Sequence, residues 1–158
     1  MNIKIEKLTN KDSIYFNTIC DWNYNWWGLD YKKEYVVDFM SRCLNEDKIP
    51  KTYIALYDDK VVGMYQIAME DDLNTRPDYY PWLINVYVDE QHRGKGICKL
   101  LVEHSKETFK QLGFGKVYLH SKHINLYEKY GWKYLEEATT LNGEIKRIYY
   151  LDIDEDSK

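Results

Sequence analysis

The run VYVDEQHRGKGICKLL, Val86 to Leu101, changes its preferred conformation twice. It opens as an alternation of β-branched and aromatic residues, which favours a strand. It then crosses a polar bend with Gly94 and Gly96 one residue apart, flanked by Arg93 and Lys95, and closes as a helix. A chain built around this segment must contain a β-loop-α unit. A helix N-terminus exposes unpaired N–H groups and a partial positive charge, so it suits an anion. Glycines let the backbone approach such a ligand without interposed Cβ atoms. The segment therefore points either to a phosphate-type ligand at the amides of about residues 91–98 or to a tight turn that only needs small residues. Two phosphate loops are excluded. G-x-x-x-x-G-K-[ST] does not occur, and Lys99 stands where a dinucleotide fingerprint requires its third glycine.

The flanking periodicities extend this unit into a sheet. NIKIEKL alternates as a strand, while KDSIYFNTICDWNYNWWG and KKEYVVDFMSRCLNED carry apolar residues at helical spacing. In the second of these, Tyr35, Val36, Phe39, Met40 and Cys43 share a face. TYIALYDDKVVGMYQIAM reads as a hairpin around Asp58-Asp59-Lys60, and WLINVYV as the strand after a polar connection. Ile97, Leu100, Leu101, His104 and Thr108 mark one side of the helix that follows, which stops at Gly113. KVYLHS is a strand and INLYEKYG a short helix. WKYLEE and KRIYYLDI make a hairpin in which Asn142-Gly143 would supply positive φ angles. The order β-α-α-β-β-β-α-β-α-β-β describes a mixed α/β (α+β) sheet in one domain, residues 1–158.

Composition narrows the partners. The net charge of −4 provides no basic field for nucleic acid or an anionic membrane. MNIKIEKLTNKD lacks the apolar core of a signal peptide, and no later run approaches the length of a membrane span. Cys20, Cys43 and Cys98 are scattered, without a CxxC pair, which favours reduced thiols over disulfides or a zinc site. A cytoplasmic protein without metal is the expectation.

Gln91-His92-Arg93-Gly94-Lys95-Gly96, directly after VYV, fits Q/R-x-x-G-x-G/A. In this the chain resembles the GNAT superfamily of N-acetyltransferases, whose acetyl-CoA pyrophosphate loop has that form. NLYEKYGW, Asn125 to Trp132, is similar to the closing helix of the same family, with Tyr127 at its tyrosine position and Gly131-Trp132 in place of Gly-Phe. The resemblance covers nearly the whole chain and is weakest over residues 11–50.

The resemblance implies a mostly antiparallel sheet with a V-shaped splay between central strands and helices on both faces. It implies acetyl-CoA as cosubstrate, its pyrophosphate at Gln91, His92, Arg93, Gly94, Lys95, Gly96, Ile97 and Cys98. The backbone of Val86 and Val88 would pair with the pantetheine arm, and an amide of that segment would stabilise the thioester oxyanion. Tyr127 would protonate the departing thiolate. Glu70, before the polar connection, and His120, at the end of KVYLHS, are the two candidates for the base that deprotonates the amine. His120 also stands about where many relatives carry an Asn that contacts CoA, so that contact is not carried over. Cys98, in the first turn of the helix, is expected to pack inward rather than relay the acetyl group.

The acceptor is expected to be a small-molecule or peptide amine. Trp22 and Trp26 share a helix face, and Trp26 with Trp27 could wall a site for a cation. Glu70, Asp71, Asp72 and Asp78 on the connection favour a positively charged acceptor such as a polyamine, an aminoglycoside-like antibiotic or a peptide amine. The competing readings are a protein N-terminal or lysine acetyltransferase and a non-catalytic acyl-CoA sensor, with a homodimer one option for assembly.

Overall fold

The computed structural model describes residues 1–71, 73 and 75–153. Among them the strands are β1 (Lys4–Leu8), β2 (Lys51–Tyr57), β3 (Lys60–Ala68), β4 (Trp82–Val88), β5 (Lys116–Ser121), β6 (Lys133–Thr139) and β7 (Ile145–Asp152). The helices are α1 (Phe16–Trp26), α2 (Lys33–Ser41) and α3 (Ile97–Gln111), with 3₁₀ turns at Glu90–His92 and Tyr127–Tyr130. One sheet runs in the order β1-β2-β3-β4-β5-β7-β6. β1 is antiparallel to β2, and β7 is antiparallel to both β5 and β6. β4 runs parallel to β5 with Trp82 opposite Tyr118. This is the mixed α/β sheet that the element order implies, and it is mostly antiparallel, as the family resemblance implies.

Local chemistry moves several boundaries. α1 begins at Phe16 because the residues before it are committed to turns: Asn10 Oδ1 accepts from the Asp12 N–H at 2.8 Å, and Ser13 Oγ from the Tyr15 N–H at 3.2 Å. The expected helix at INLYEKYG is only a 3₁₀ turn, closed by left-handed Gly131. In the β6–β7 connection Gly143 alone is left-handed, not Asn142. A longer loop replaces the two-residue turn, closed by the Gly143 N–H on the Thr140 C=O and the Thr140 N–H on the Glu144 C=O. Asp58 and Asp59 both have positive φ, as a two-residue hairpin turn requires.

Two apolar residues assigned inward by spacing lie outside. Tyr35 is half exposed and stacks on Tyr31 at 4.8 Å. Leu100 is exposed because the buried stripe of α3 runs through Ile97, Leu101, Ser105 and Phe109, leaving it beyond the margin.

The chain packs as two compact units, Met1–Gln66 with Asn85–Leu101, and Ile67–Ile84 with the chain from Val102 on. In the first, Phe16, Ile19, Val36, Met40, Ile54 and Met64 form a buried cluster, each such side chain stabilising the fold by roughly 1.5–3 kcal/mol. Gly63 of β3 fits beneath the start of α3: a Cβ there would lie 3.0 Å from Leu101 Cδ1, 3.1 Å from the Tyr87 carbonyl oxygen and 3.3 Å from Ile97 Cγ2. The second unit buries Phe109, Val117, Leu119, Trp132 and Ile148. Within it the connection before β4 is pinned to the sheet. Glu136 of β6 accepts from Arg76 Nε and from the Tyr79 hydroxyl, both at 2.8 Å. Tyr79 stacks on Tyr118 at 4.7 Å, and the Tyr118 N–H donates to the Pro81 C=O.

Candidate active site

The loop that sequence assigns to the phosphates lies in the first unit and is held from β4 and β3. The Asp89 N–H donates to the Val62 C=O at 2.9 Å. His92 is folded back on Asp89, its Nδ1 2.7 Å from the Asp89 carboxylate and its N–H on the Asp89 C=O. Arg93 is anchored twice: Nε donates to the Val88 C=O at 2.9 Å, and the guanidinium lies 5.2 Å over the Tyr87 ring. Gly94 and Gly96 are both left-handed, at φ 78° and 82°, and a Cβ on either would meet nothing within 4 Å. The space beside both glycines is therefore open to a ligand, and a side chain at either would occupy it. α3 starts directly after, with its first-turn N–H groups at Ile97, Cys98 and Lys99. Ile97 is buried and Cys98 half-buried; Gln91 and Lys95 are exposed. Backbone amides, a helix N-terminus and a lysine beside the loop form a donor set that fits a pyrophosphate.

β4 supplies Val86 and Val88. Just before them, within the same strand, Asn85 takes φ 51°, a left-handed conformation that costs an ordinary residue on the order of 1 kcal/mol. Its amide Nδ2 donates to Gln66 Oε1 at 2.7 Å. Nothing in the sequence marks this residue except a lone Asn in a β-branched run. Tyr87 carries the aromatic wall: Trp22 and Trp26 lie 5.0 and 5.6 Å from its ring, and Trp26 is half exposed. Trp27 is tied inward instead. Its Nε1–H donates to buried Asn23 Oδ1 at 2.7 Å, and its ring packs edge-on to Phe39. Asp72, assigned to the acceptor, lies outside the described residues.

The remaining candidates lie in the second unit. Tyr127 opens the 3₁₀ turn, 7% exposed, with the rings of Tyr130 and Tyr149 at 6.3 and 6.1 Å. The Trp132 N–H closes the turn onto the Tyr127 C=O at 3.1 Å. Tyr149 is fixed by Arg147 Nε and by its own donation to the His123 C=O, and burial lifts its hydroxyl above the ordinary range. His120, at the end of β5, has Nε2 2.9 Å from Asp71 Oδ2, with Trp82 edge-on at 5.9 Å. Asp71 was legible only as one acid of a run; no spacing links it to His120. Glu70 is exposed beyond the end of β3.

Among the described residues no group of three or more His, Cys, Asp or Glu side chains could hold a metal ion, and no helix is long and apolar enough to cross a membrane.

A family model described as the acetyltransferase (GNAT) family matches residues 16–132. Solved structures share the fold over nearly full length. An aminoglycoside 6'-N-acetyltransferase complexed with coenzyme A matches at TM-score 0.75 and 16% identity, covering 95% of this chain and 97% of that one. A GNAT family acetyltransferase from Elizabethkingia anophelis with acetyl-CoA bound matches at 0.67 and 17%, covering 96% and 98%. An N-acetyltransferase from Staphylococcus aureus Mu50 matches at 0.72 and 15%, covering 97% and 99%. No curated protein matches the chain.

Proposed function

The chain belongs to the GNAT acetyltransferase family, and on that footing we propose that it transfers the acetyl group of acetyl-CoA directly to a primary amine of a cationic acceptor. The observation that carries this reading is the pair of left-handed glycines with open space beside them at the start of α3. In this reading residues 1–158 act as one N-acetyltransferase domain in the cytoplasm.

The loop amides and α3 hold the pyrophosphate, with the charge of Lys95 and the outer edge of Arg93 beside them. The Val86–Val88 backbone pairs with the pantetheine arm, and an amide there stabilises negative charge developing on the thioester oxygen. Tyr127 gives its hydroxyl proton to the leaving thiolate. Free phenols titrate near ~10 and thiols near ~8.5, so the transfer is workable when the two are held together. His120 takes the proton of the attacking amine. The Asp71 carboxylate, 2.9 Å from His120 Nε2, orients the ring. Glu70 is the alternative base. Trp26, half exposed and packed on Tyr87, offers an aromatic face to a cation.

The test is release of free thiol from acetyl-CoA across a panel of amines beginning with aminoglycosides, the acceptors named for the first neighbour, then polyamines and peptide amines. Turnover of at least one amine is expected. Tight acetyl-CoA binding with no turnover of any would mean an acyl-CoA-binding module instead.

A further inference from the structure

We propose that Asn85 is a positioning residue, held by a directed chain of hydrogen bonds from the buried Thr52 and Gln66 that fixes its left-handed conformation within β4 and so aims the Val86–Val88 backbone. The proposal rests on the acetyl-transfer reading for its kinetic arm only.

The chain starts at a group that can only accept. Thr52 Oγ1 donates to the Cys43 C=O at 2.7 Å. The Thr52 oxygen is then left as an acceptor, and Gln66 Nε2 donates to it at 3.0 Å. This orientation places Gln66 Oε1 at the opposite end of its amide, where Asn85 Nδ2 donates at 2.7 Å. Each amide is thus oriented by the one before it, and reversing any of them would set donor against donor or acceptor against acceptor. Thr52 and Gln66 are 1% and 0% exposed, so water cannot replace a lost partner. The chain spans the turn after α2, β2, β3 and β4 within the first unit.

The consequence falls on Asn85. Unlike glycine, asparagine enters the left-handed region only when its side chain or surroundings favour it. Here the tether to Gln66 stabilises φ 51°. The next peptides, through Val88, continue β4 in a direction set by that angle. An extended Asn85 would flip the alternation of every residue after it. A small misplacement of donors at a reacting carbonyl can cost on the order of a hundredfold in rate. The chain is therefore the means by which a polar cluster outside the reaction sets the geometry of its backbone donors.

The experiment compares Asn85→Ala, Asn85→Gly, Gln66→Leu and the Asn85→Ala/Gln66→Leu double variant. It measures kcat on the best amine of the panel, the CoA dissociation constant, and the ¹H–¹⁵N amide resonances of residues 86–88. Asn85→Ala and Gln66→Leu should each lower kcat by about tenfold or more, with CoA affinity falling less than kcat, because the glycine loop is untouched although the backbone that pairs with the pantetheine arm is re-aimed. The double variant should be no worse than the poorer single one. Asn85→Gly should lose less than Asn85→Ala, since glycine adopts φ 51° without strain. The amide resonances of residues 86–88 should move in Gln66→Leu although the substitution is on β3. Folded single variants with wild-type kcat, or losses that multiply independently, overturn the proposal. If the wild type turns over no amine, the transfer reading has failed and the resonances decide alone. Unmoved amides at 86–88 in Gln66→Leu then overturn the positioning role. Should Gln66→Leu not fold, the same readings on Asn85→Gly against Asn85→Ala decide it.

Discussion

His120 Nε2 sits 2.9 Å from Asp71 Oδ2, which joins the end of β5 to the start of the connection that leads into β4. The carboxylate is the charged partner that orients the ring. Asp71→Asn keeps the size of that partner and removes its charge. We predict that this variant impairs the base: kcat should fall by about tenfold or more, while CoA affinity holds. Glu70→Gln should leave kcat near the wild-type value. An unchanged kcat in Asp71→Asn together with a loss of about tenfold or more in Glu70→Gln would transfer the role to Glu70.

Tyr127→Phe keeps the ring between Tyr130 and Tyr149 and removes the proton donor alone. General acid catalysis is worth about 10²- to 10⁴-fold, so kcat should drop by at least about tenfold while CoA affinity holds. The deficit should shrink with an acyl donor whose thiol is more acidic. Unchanged kcat under conditions where chemistry limits turnover would make Tyr127 a packing residue.

Gly94 and Gly113 form a matched pair for testing the loop. Both are left-handed, at φ 78° and 86°, and both have open space where a Cβ would stand. Alanine at either should cost about 1 kcal/mol in strain. Only Gly94→Ala should also weaken acetyl-CoA binding, read by titration calorimetry and by loss of the ligand-induced rise in Tm. Equal binding by both variants would detach the glycines from the ligand.

The buried thiols give the fold an alkaline limit. Burial pushes Cys20 and Cys43 from 9.0 to about 11. Both folded values lie above the unfolded one, so the stability from keeping the thiols neutral is complete below about pH 9 and is lost as pH rises towards 11. Urea midpoints should decline across that window. A Cys20→Ala/Cys43→Ala variant, less stable throughout, should decline less steeply. Parallel pH curves would assign the loss to other groups.

Much of the fold could be read from periodicity because its signals are local. The strand-to-helix handover at residues 86–101, the Asp58-Asp59 turn and Gly131 after the Tyr127 turn each declare themselves within a few residues. What spacing could not supply was set by partners distant in sequence. Leu100 falls outside because the stripe of α3 is centred on Leu101 and Ser105, and Trp27 turns inward because Asn23 accepts its indole N–H. Of the candidate site, the phosphate loop and Tyr127 carried motifs. Asp71 and Asn85 did not, since each acquires its role from a single residue in another strand, His120 and Gln66.

The hydrogen at position 63 also limits how this lineage can drift. Two of the atoms that crowd it, on Leu101 and Ile97, belong to side chains and can be trimmed by mutation; the third is the carbonyl oxygen of Tyr87, which every residue at 87 would carry. Descendants can therefore trade size between positions 63, 97 and 101 only up to a ceiling fixed by backbone. The order of events matters as well. Enlargement at 63 asks each of these neighbours to give by a few tenths of an ångström, so it comes more easily after a reduction at 101 or 97 than before one.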